Sequence, residues 1–175
     1  MRRITLTVLF LLLAASASLR MDAQIAAQAP SVTAPSSAQP ENVIFDTDIG
    51  DDIDDAFALA LLLRSPEVKI LGITTAWGDT NLRARLVSRF LAETGHSDIP
   101  VFAGPQTKST TKFSQAQWAE QFPARAYPDA IGFLHDTIQQ HPGEITLIAV
   151  APLTNVGALI DRDAATFRKD RKSVV

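Results

Sequence analysis

Short apolar runs alternate with amphipathic segments from about residue 43 to the end of the chain. The apolar runs have the length of β-strands and cover residues 43–45, 68–75, 99–103 and 144–150. Between them, apolar residues recur at helical spacing, for example at Leu82, Leu86, Phe90 and Leu91. This alternation predicts an α/β fold with a mainly parallel, Rossmann-like sheet flanked by helices.

The limits of several elements follow from local sequence signals. The first helix is predicted to begin near Asp54 and to end at Ser65, because the residue before Pro66 avoids the helical conformation. It is apolar nearly all round, which predicts a buried helix. Residues 106–128 show no clear period and are predicted to form a long loop. Residues 173–175 are predicted to begin a further strand, so the domain is expected to be incomplete at its C-terminus.

The N-terminal region has the pattern of an export signal. Arg2 and Arg3 precede an apolar run, residues 4–15, and small residues follow it, which predicts a signal peptide over residues 1–17. The run is short for a membrane span, so we expect an exported protein, periplasmic or secreted, without a stable span after processing. A retained N-terminal anchor is the alternative. Residues 18–41 are rich in Ala, Gln, Ser and Pro and predict a flexible linker, which leaves a folded region over residues 42–175.

The composition of the chain limits the ligands and metal sites that it can have. The net charge of the 175-residue chain is −3, which does not suggest a basic surface for nucleic acid. The sequence contains no cysteine, so disulfides and thiolate metal sites are excluded. A metal site in this protein would therefore be built mainly on oxygen ligands. Assembly into a homo-oligomer stays open.

Six carboxylates lie within ten residues, on the predicted loop between the first strand and the first helix. They are Asp46, Asp48, Asp51, Asp52, Asp54 and Asp55. Like charges this close repel one another, and a bound cation is the simplest compensation. Oxygen ligands of this kind suit a hard ion such as calcium or magnesium. A solvated turn followed by acids that favour a helix N-terminus would explain any two of these residues, but not all six.

Polar segments follow three of the predicted strands. They are residues 46–48, 74–79 and 150–155. In parallel α/β sheets, ligands bind beyond the carboxyl ends of the strands. We therefore expect these segments to converge on one site.

The residues at these strand ends resemble a known family. The signature is Asp46-Thr47-Asp48-Ile49-Gly50 followed by Asp54-Asp55-Ala56, and the similarity continues through residues 73–79, 101–104 and 147–155. In this order, the segments resemble the N-terminal part of the inosine-uridine preferring nucleoside hydrolases. The resemblance covers nearly all of the predicted folded region.

The resemblance implies a calcium ion and hydrolysis of the N-glycosidic bond of ribonucleosides to ribose and free base. It implies that Asp48 is a calcium ligand and the base for the attacking water, and that Asp55 is a second ligand. Val150 falls where the family supplies a main-chain carbonyl to the metal. Asp54 is similar to an acid that holds the ribose hydroxyls. Asp79 stands where many members have a ribose-binding asparagine.

Two departures from the family pattern affect these expectations. The acidic loop holds two more residues than in many members, so Asp52 is kept as a reserve ligand. The family's later His-Asp pair, a leaving-group acid and another calcium ligand, is expected beyond residue 175. The chain is therefore expected to have low or no activity by itself.

Three other functional classes share part of this acidic pattern. A phosphatase of the haloacid-dehalogenase type would use Asp46 as a covalent nucleophile and bind magnesium. A non-catalytic calcium- or sugar-binding domain is another alternative. An EF-hand is excluded, because position 12 counted from Asp46 is Phe57 rather than glutamate.

Overall fold

The computed structural model describes residues 39–108 and 112–175. The predicted signal peptide, residues 1–17, and the predicted linker up to residue 38 lie outside the described residues. In the part of the chain that is described, no helix is both long and apolar enough to cross a membrane.

In the described part of the chain, five parallel strands form a single sheet. They are β1 (Glu41–Thr47), β2 (Val68–Thr75), β3 (Val101–Ala103), β4 (Ile145–Ala149) and β5 (Lys172–Val174). Their order across the sheet is β3-β2-β1-β4-β5, and every neighbouring pair is parallel. The predicted α/β fold with a parallel sheet is confirmed, and the strand expected near residue 173 pairs with β4.

Five helices accompany the strands within residues 39–108 and 112–175. They are α1 (Asp54–Arg64), α2 (Thr80–Thr94), α3 (Ala116–Glu120), α4 (Ala130–Gln140) and α5 (Thr154–Phe167). Helix α2 is followed by Gly95, which has the left-handed conformation, at φ 81°, as expected for a glycine that ends a helix.

The central strand β1 is covered on both faces. Its residues Val43, Ile44 and Phe45 are buried, as expected for a parallel strand between two layers of helices. Phe45 belongs to an apolar cluster with residues of α1, α2 and α3, whereas Ile44 belongs to a second cluster with residues of α4 and α5. Successive side chains of a strand point to opposite faces, which explains this division.

The prediction that α1 is a buried helix was wrong. Only Asp55 and Leu59 are buried in this helix, whereas Phe57 is 66% exposed and Leu61 is 69% exposed. A helix packed on a sheet turns one face inward, and residues four apart share a face. Phe57 and Leu61 therefore lie together on the outward face.

The long loop predicted over residues 106–128 also needs correction. It contains the short helix α3 and the buried residues Phe113, Ala116 and Ala119. Arg89 of α2 donates a hydrogen bond of 2.7 Å to the main-chain oxygen of Trp118 and lies over its ring. A five-residue helix is too short to give a periodic sequence signal, so its packing was not predicted.

Candidate active site

Three strand ends meet at the carboxyl group of Asp46. This residue lies at the end of β1, opposite Thr74 of β2, and is fully buried. Its Oδ1 accepts hydrogen bonds from Thr74 Oγ1 at 2.6 Å and from Asn155 Nδ2 at 2.7 Å. Asn155 lies in the first turn of α5, after β4, and also donates to the main-chain oxygen of Thr75. The predicted convergence of polar segments at one edge of the sheet is confirmed.

The electrostatic environment of Asp46 disfavours its charged form. Burial raises its pKa to about 6, with a further contribution from the charges of Asp48 and Asp55, against the hydrogen bonds from Thr74 and Asn155. Its Oδ2 is buried and has no hydrogen-bond partner among the described residues. An unpaired buried carboxylate oxygen is costly unless it carries a proton or lies near a cation.

Asp55 is fixed against the end of β1. It lies in the first turn of α1 and is buried. Its Oδ2 accepts hydrogen bonds from Thr47 Oγ1 at 2.6 Å and from the main-chain nitrogen of Asp48 at 3.1 Å. Thr47 Oγ1 in turn accepts a hydrogen bond from the main-chain nitrogen of Ile49. These contacts join the start of the helix to the start of the acidic loop.

Asp48 is partly buried and lies directly after β1. Burial raises its pKa, and the negative charge of Asp55 raises it further, against the positive charge of Arg83. Burial also raises the pKa of Asp55. Two neighbouring carboxyl groups whose charged forms are both disfavoured would be stabilised by a cation between them.

The donor atoms at this edge fit a hard divalent cation. They are carboxylate oxygens of Asp48 and Asp55. The charges of both residues also act on Asp46. Within residues 39–108 and 112–175, however, no group of three or more His, Cys, Asp or Glu side chains is arranged to hold a metal ion. A metal here would need further oxygen ligands, such as main-chain carbonyls or water.

The remaining predicted site residues differ in their exposure and in their contacts with this edge. The main-chain nitrogen of Val150 donates to the main-chain oxygen of Asp46 at 2.9 Å, which places Val150 beside the end of β1. Asp54 is exposed, and its Oδ1 accepts a hydrogen bond from the main-chain nitrogen of Asp55. Asp52 is exposed on the loop.

Asp79 caps the N-terminus of α2. It precedes α2 and accepts a hydrogen bond from the main-chain nitrogen of Leu82 at 3.0 Å, as an N-cap residue does. It also accepts from Gln106 Nε2 at 3.4 Å. Across the two described ranges, its carboxylate makes no hydrogen bond with Asp46, Asp48 or Asp55.

Two residues of this network were not predicted as site residues. Asn155 was recognised only as part of a polar segment, although an asparagine after a strand and Pro152 was a usable signal. The helical spacing of Leu82, Leu86, Phe90 and Leu91 puts Arg83 on another face of the helix, yet Arg83 is only 4% exposed. Its partners are 32 to 35 residues away in the sequence, apart from Trp77. No local pattern indicates such contacts.

The geometry does not favour the phosphatase alternative. A covalent nucleophile must reach the phosphorus atom of its substrate, and Asp46 is fully buried with Oδ1 occupied by two donors. Its position suits a structural carboxyl group beneath the site.

Comparisons with known proteins agree with the resemblance seen in the sequence. The profile of the inosine-uridine preferring nucleoside hydrolases matches residues 43–175. Uridine nucleosidase 1 of Arabidopsis thaliana is 31% identical over 150 residues, which cover 77% of this chain and 44% of that protein. The pyrimidine-specific ribonucleoside hydrolase RihA of Citrobacter koseri is 29% identical over 147 residues, which cover 76% of this chain and 46% of that protein.

A solved structure has a similar fold. A plant nucleoside hydrolase superposes with a TM-score of 0.68 at 28% identity, over 77% of this chain and 47% of that one. The chain thus spans less than half the length of the relatives it matches. The family match, the parallel sheet and the acidic loop after its central strand agree, and the chain belongs to the inosine-uridine preferring nucleoside hydrolase family, whose members are N-glycosidic bond hydrolases.

Proposed function

We propose that this protein takes part in calcium-dependent hydrolysis of the N-glycosidic bond of ribonucleosides, giving ribose and free base. The observation that carries the proposal is the placement of Asp48. It is a partly buried carboxylate at the end of the central strand, and Asp55 is fixed 3.1 Å from its main-chain nitrogen. The family supports the reaction class, and the donor set supports a hard cation.

In this proposal, Asp48 and Asp55 hold calcium through their carboxylate oxygens, and Val150 adds its main-chain carbonyl. When bound, the ion would lower the pKa of a water molecule and orient it. Asp48 takes the proton of the attacking water, a role for which its raised pKa is suited. Asp54 and Asp79 are the candidates to hold the ribose hydroxyls.

The reaction needs charge stabilisation as well as a base. The water oxygen bonds to the anomeric carbon while the bond to the base nitrogen breaks, and the sugar passes through an oxocarbenium-like state. The carboxylates at the end of β1 would stabilise that positive charge. The leaving base takes up a proton, and none of the residues assigned here is proposed to supply it. Residues 1–175 alone are therefore proposed to have little activity.

Release of ribose from inosine and uridine tests this proposal. It should be measured with calcium and with a chelator, for residues 1–175 and for any longer product of the same reading frame. We expect turnover by the longer product only, with loss of nearly all of it in Asp48→Asn. Robust turnover by residues 1–175 would contradict the proposal that they have little activity alone. Cleavage of phosphate esters in place of nucleosides, or calcium binding with no turnover by the longer product, would contradict the reaction.

A further inference from the structure

A buried arginine lies beneath the acidic loop. Arg83 of α2 is 4% exposed, and its side chain donates hydrogen bonds to three main-chain oxygens. Nε donates to Trp77 O at 3.0 Å, and Nη1 donates to Ile49 O at 3.0 Å and to Asp48 O. Nη2 donates to the carboxylate of Asp51 at 3.3 Å. The guanidinium therefore ties the segment that follows β2 to three residues of the loop.

These contacts use the geometry of arginine. A guanidinium is planar, always charged, and presents several donors in a fixed fork, which a lysine cannot reproduce. The Arg83 guanidinium also lies over the ring of Phe113, with its central carbon 4.6 Å from the ring centroid. Its only ion-pair partner in the described ranges is Asp51, whose side chain is 54% exposed. Main-chain oxygens of the loop thus supply most of the compensation for this buried charge.

The loop is held from a second side as well. Asp51 Oδ1 accepts a hydrogen bond from the main-chain nitrogen of Ser114 at 2.9 Å. Gly50 O accepts one from the main-chain nitrogen of Gln115 at 3.0 Å. Gly50 has φ 139°, and a Cβ there would lie 2.6 Å from the ring of Phe113. Glycine is therefore required where the loop passes this ring.

We propose that Arg83 is a positioning residue, which together with Asp51 fixes the backbone of residues 48–51 and so the direction of the Asp48 carboxylate. Asp51, one of the acids in the lengthened loop, links Arg83 to Ser114 through its carboxylate and is not a metal ligand. The role of Arg83 in holding the loop stands on these contacts, whereas its effect on calcium rests on the proposed function. Groups that orient metal ligands typically change metal affinity by about 10–100-fold when they are replaced.

Arg83→Lys tests this role, because it keeps the charge and removes the fork. Arg89→Lys is the matched control, since Arg89 lies on the same helix, donates to a main-chain oxygen and lies over an aromatic ring, but contacts α3 and not the loop. Both variants and the wild-type chain should be compared in two measurements. One is amide hydrogen exchange of peptides covering residues 46–53, without metal. The other is calorimetric titration with calcium.

We expect Arg83→Lys to speed exchange in this peptide by about tenfold or more, since local opening no longer breaks charge-assisted hydrogen bonds. Calcium affinity should fall by about 10–100-fold, while Arg89→Lys changes neither quantity. Unchanged exchange, unchanged affinity in a chain that binds calcium, or equal effects in the two variants would overturn the proposal.

Two further outcomes separate this proposal from the proposed function. If the wild-type chain does not bind calcium, the calcium assignment fails, and the exchange measurement alone decides the role of Arg83. If Arg83→Lys does not fold, Asp51→Asn replaces it, because Asp51 is largely exposed. The same directions are expected for Asp51→Asn, and no change in that variant would equally overturn the proposal.

Discussion

The carboxyl group of Asp46 shows how a single residue can couple stability to pH. Its pKa is raised from 3.8 to about 6, chiefly by burial. The folded state thus favours the neutral form, so this contribution to stability is fully present below about pH 3.8 and is lost as the pH rises through about 6. The magnitude is about 3 kcal/mol for a shift of this size, as an order of magnitude.

We predict that Asp46→Asn removes this dependence. In a chelator, the free energy of unfolding of the wild-type chain should fall between about pH 4 and pH 6 more steeply than that of Asp46→Asn, which has no titrating group at the position. Denaturant unfolding across this range measures both slopes. Asp52→Asn, on the exposed part of the loop, is the control and should follow the wild type. Equal slopes for the wild type and Asp46→Asn would show that folding does not raise the pKa of Asp46.

At the level of elements, the sequence predicted the strands and helix ends that are determined by neighbouring residues. The run Val43-Ile44-Phe45 is apolar without alternation, which is typical of a parallel strand covered on both faces, and β1 is such a strand. The start of α1 at Asp54 was also predicted. Its burial was predicted wrongly, because a helix that is apolar all round carries no period to show which face is inward. The role of Arg83 could not be predicted either, since its contacts depend on how α2 packs against the loop.

The two faces of α1 give a direct test of its packing. Leu59 is fully buried in the cluster around Phe45, whereas Leu61 on the same helix is 69% exposed. Leu59→Ala should lower the free energy of unfolding by about 2–5 kcal/mol, because it leaves a cavity. Leu61→Ala should change it by about 0.5 kcal/mol or less. Chemical denaturation of both variants measures the difference, and similar losses would mean that the outward face of α1 is covered.

At the scale of the whole molecule, the strand order places the site. Strands β2 and β3 lie on one side of β1, and β4 and β5 lie on the other, so the strand order changes direction at β1. In open α/β sheets, ligands bind at the carboxyl ends of the strands next to such a point. Thr74 of β2 and Asn155, which follows β4, reach Asp46 from the two sides of β1. The sequence predicted this convergence from the strand ends. It did not predict which atoms would touch, because each contact joins residues 28 or 109 positions apart.

Export is a prediction about the whole chain that follows from its first 17 residues. Arg2 and Arg3, the apolar run after them and the small residues at 15–17 predict cleavage by a signal peptidase. N-terminal sequencing of protein expressed in a bacterium should give a mature chain that begins near Ser18 or farther into the linker. A variant without residues 2–17 should stay in the cytosol. A cytosolic product that still begins at Met1 would contradict the prediction, and an uncleaved membrane-bound product would favour an anchor.

The proposed function depends on calcium binding by the acidic loop, centred on Asp48 and Asp55. Calorimetric titration of the chain with calcium, extended to millimolar concentrations, tests this most directly. The matched variants are Asp48→Ala and Asp52→Ala, which remove the same charge from the same loop. We predict binding by the wild-type chain, its loss in Asp48→Ala, and its retention in Asp52→Ala. Equal binding by the wild type and Asp48→Ala, or loss of binding only in Asp52→Ala, would contradict the assignment.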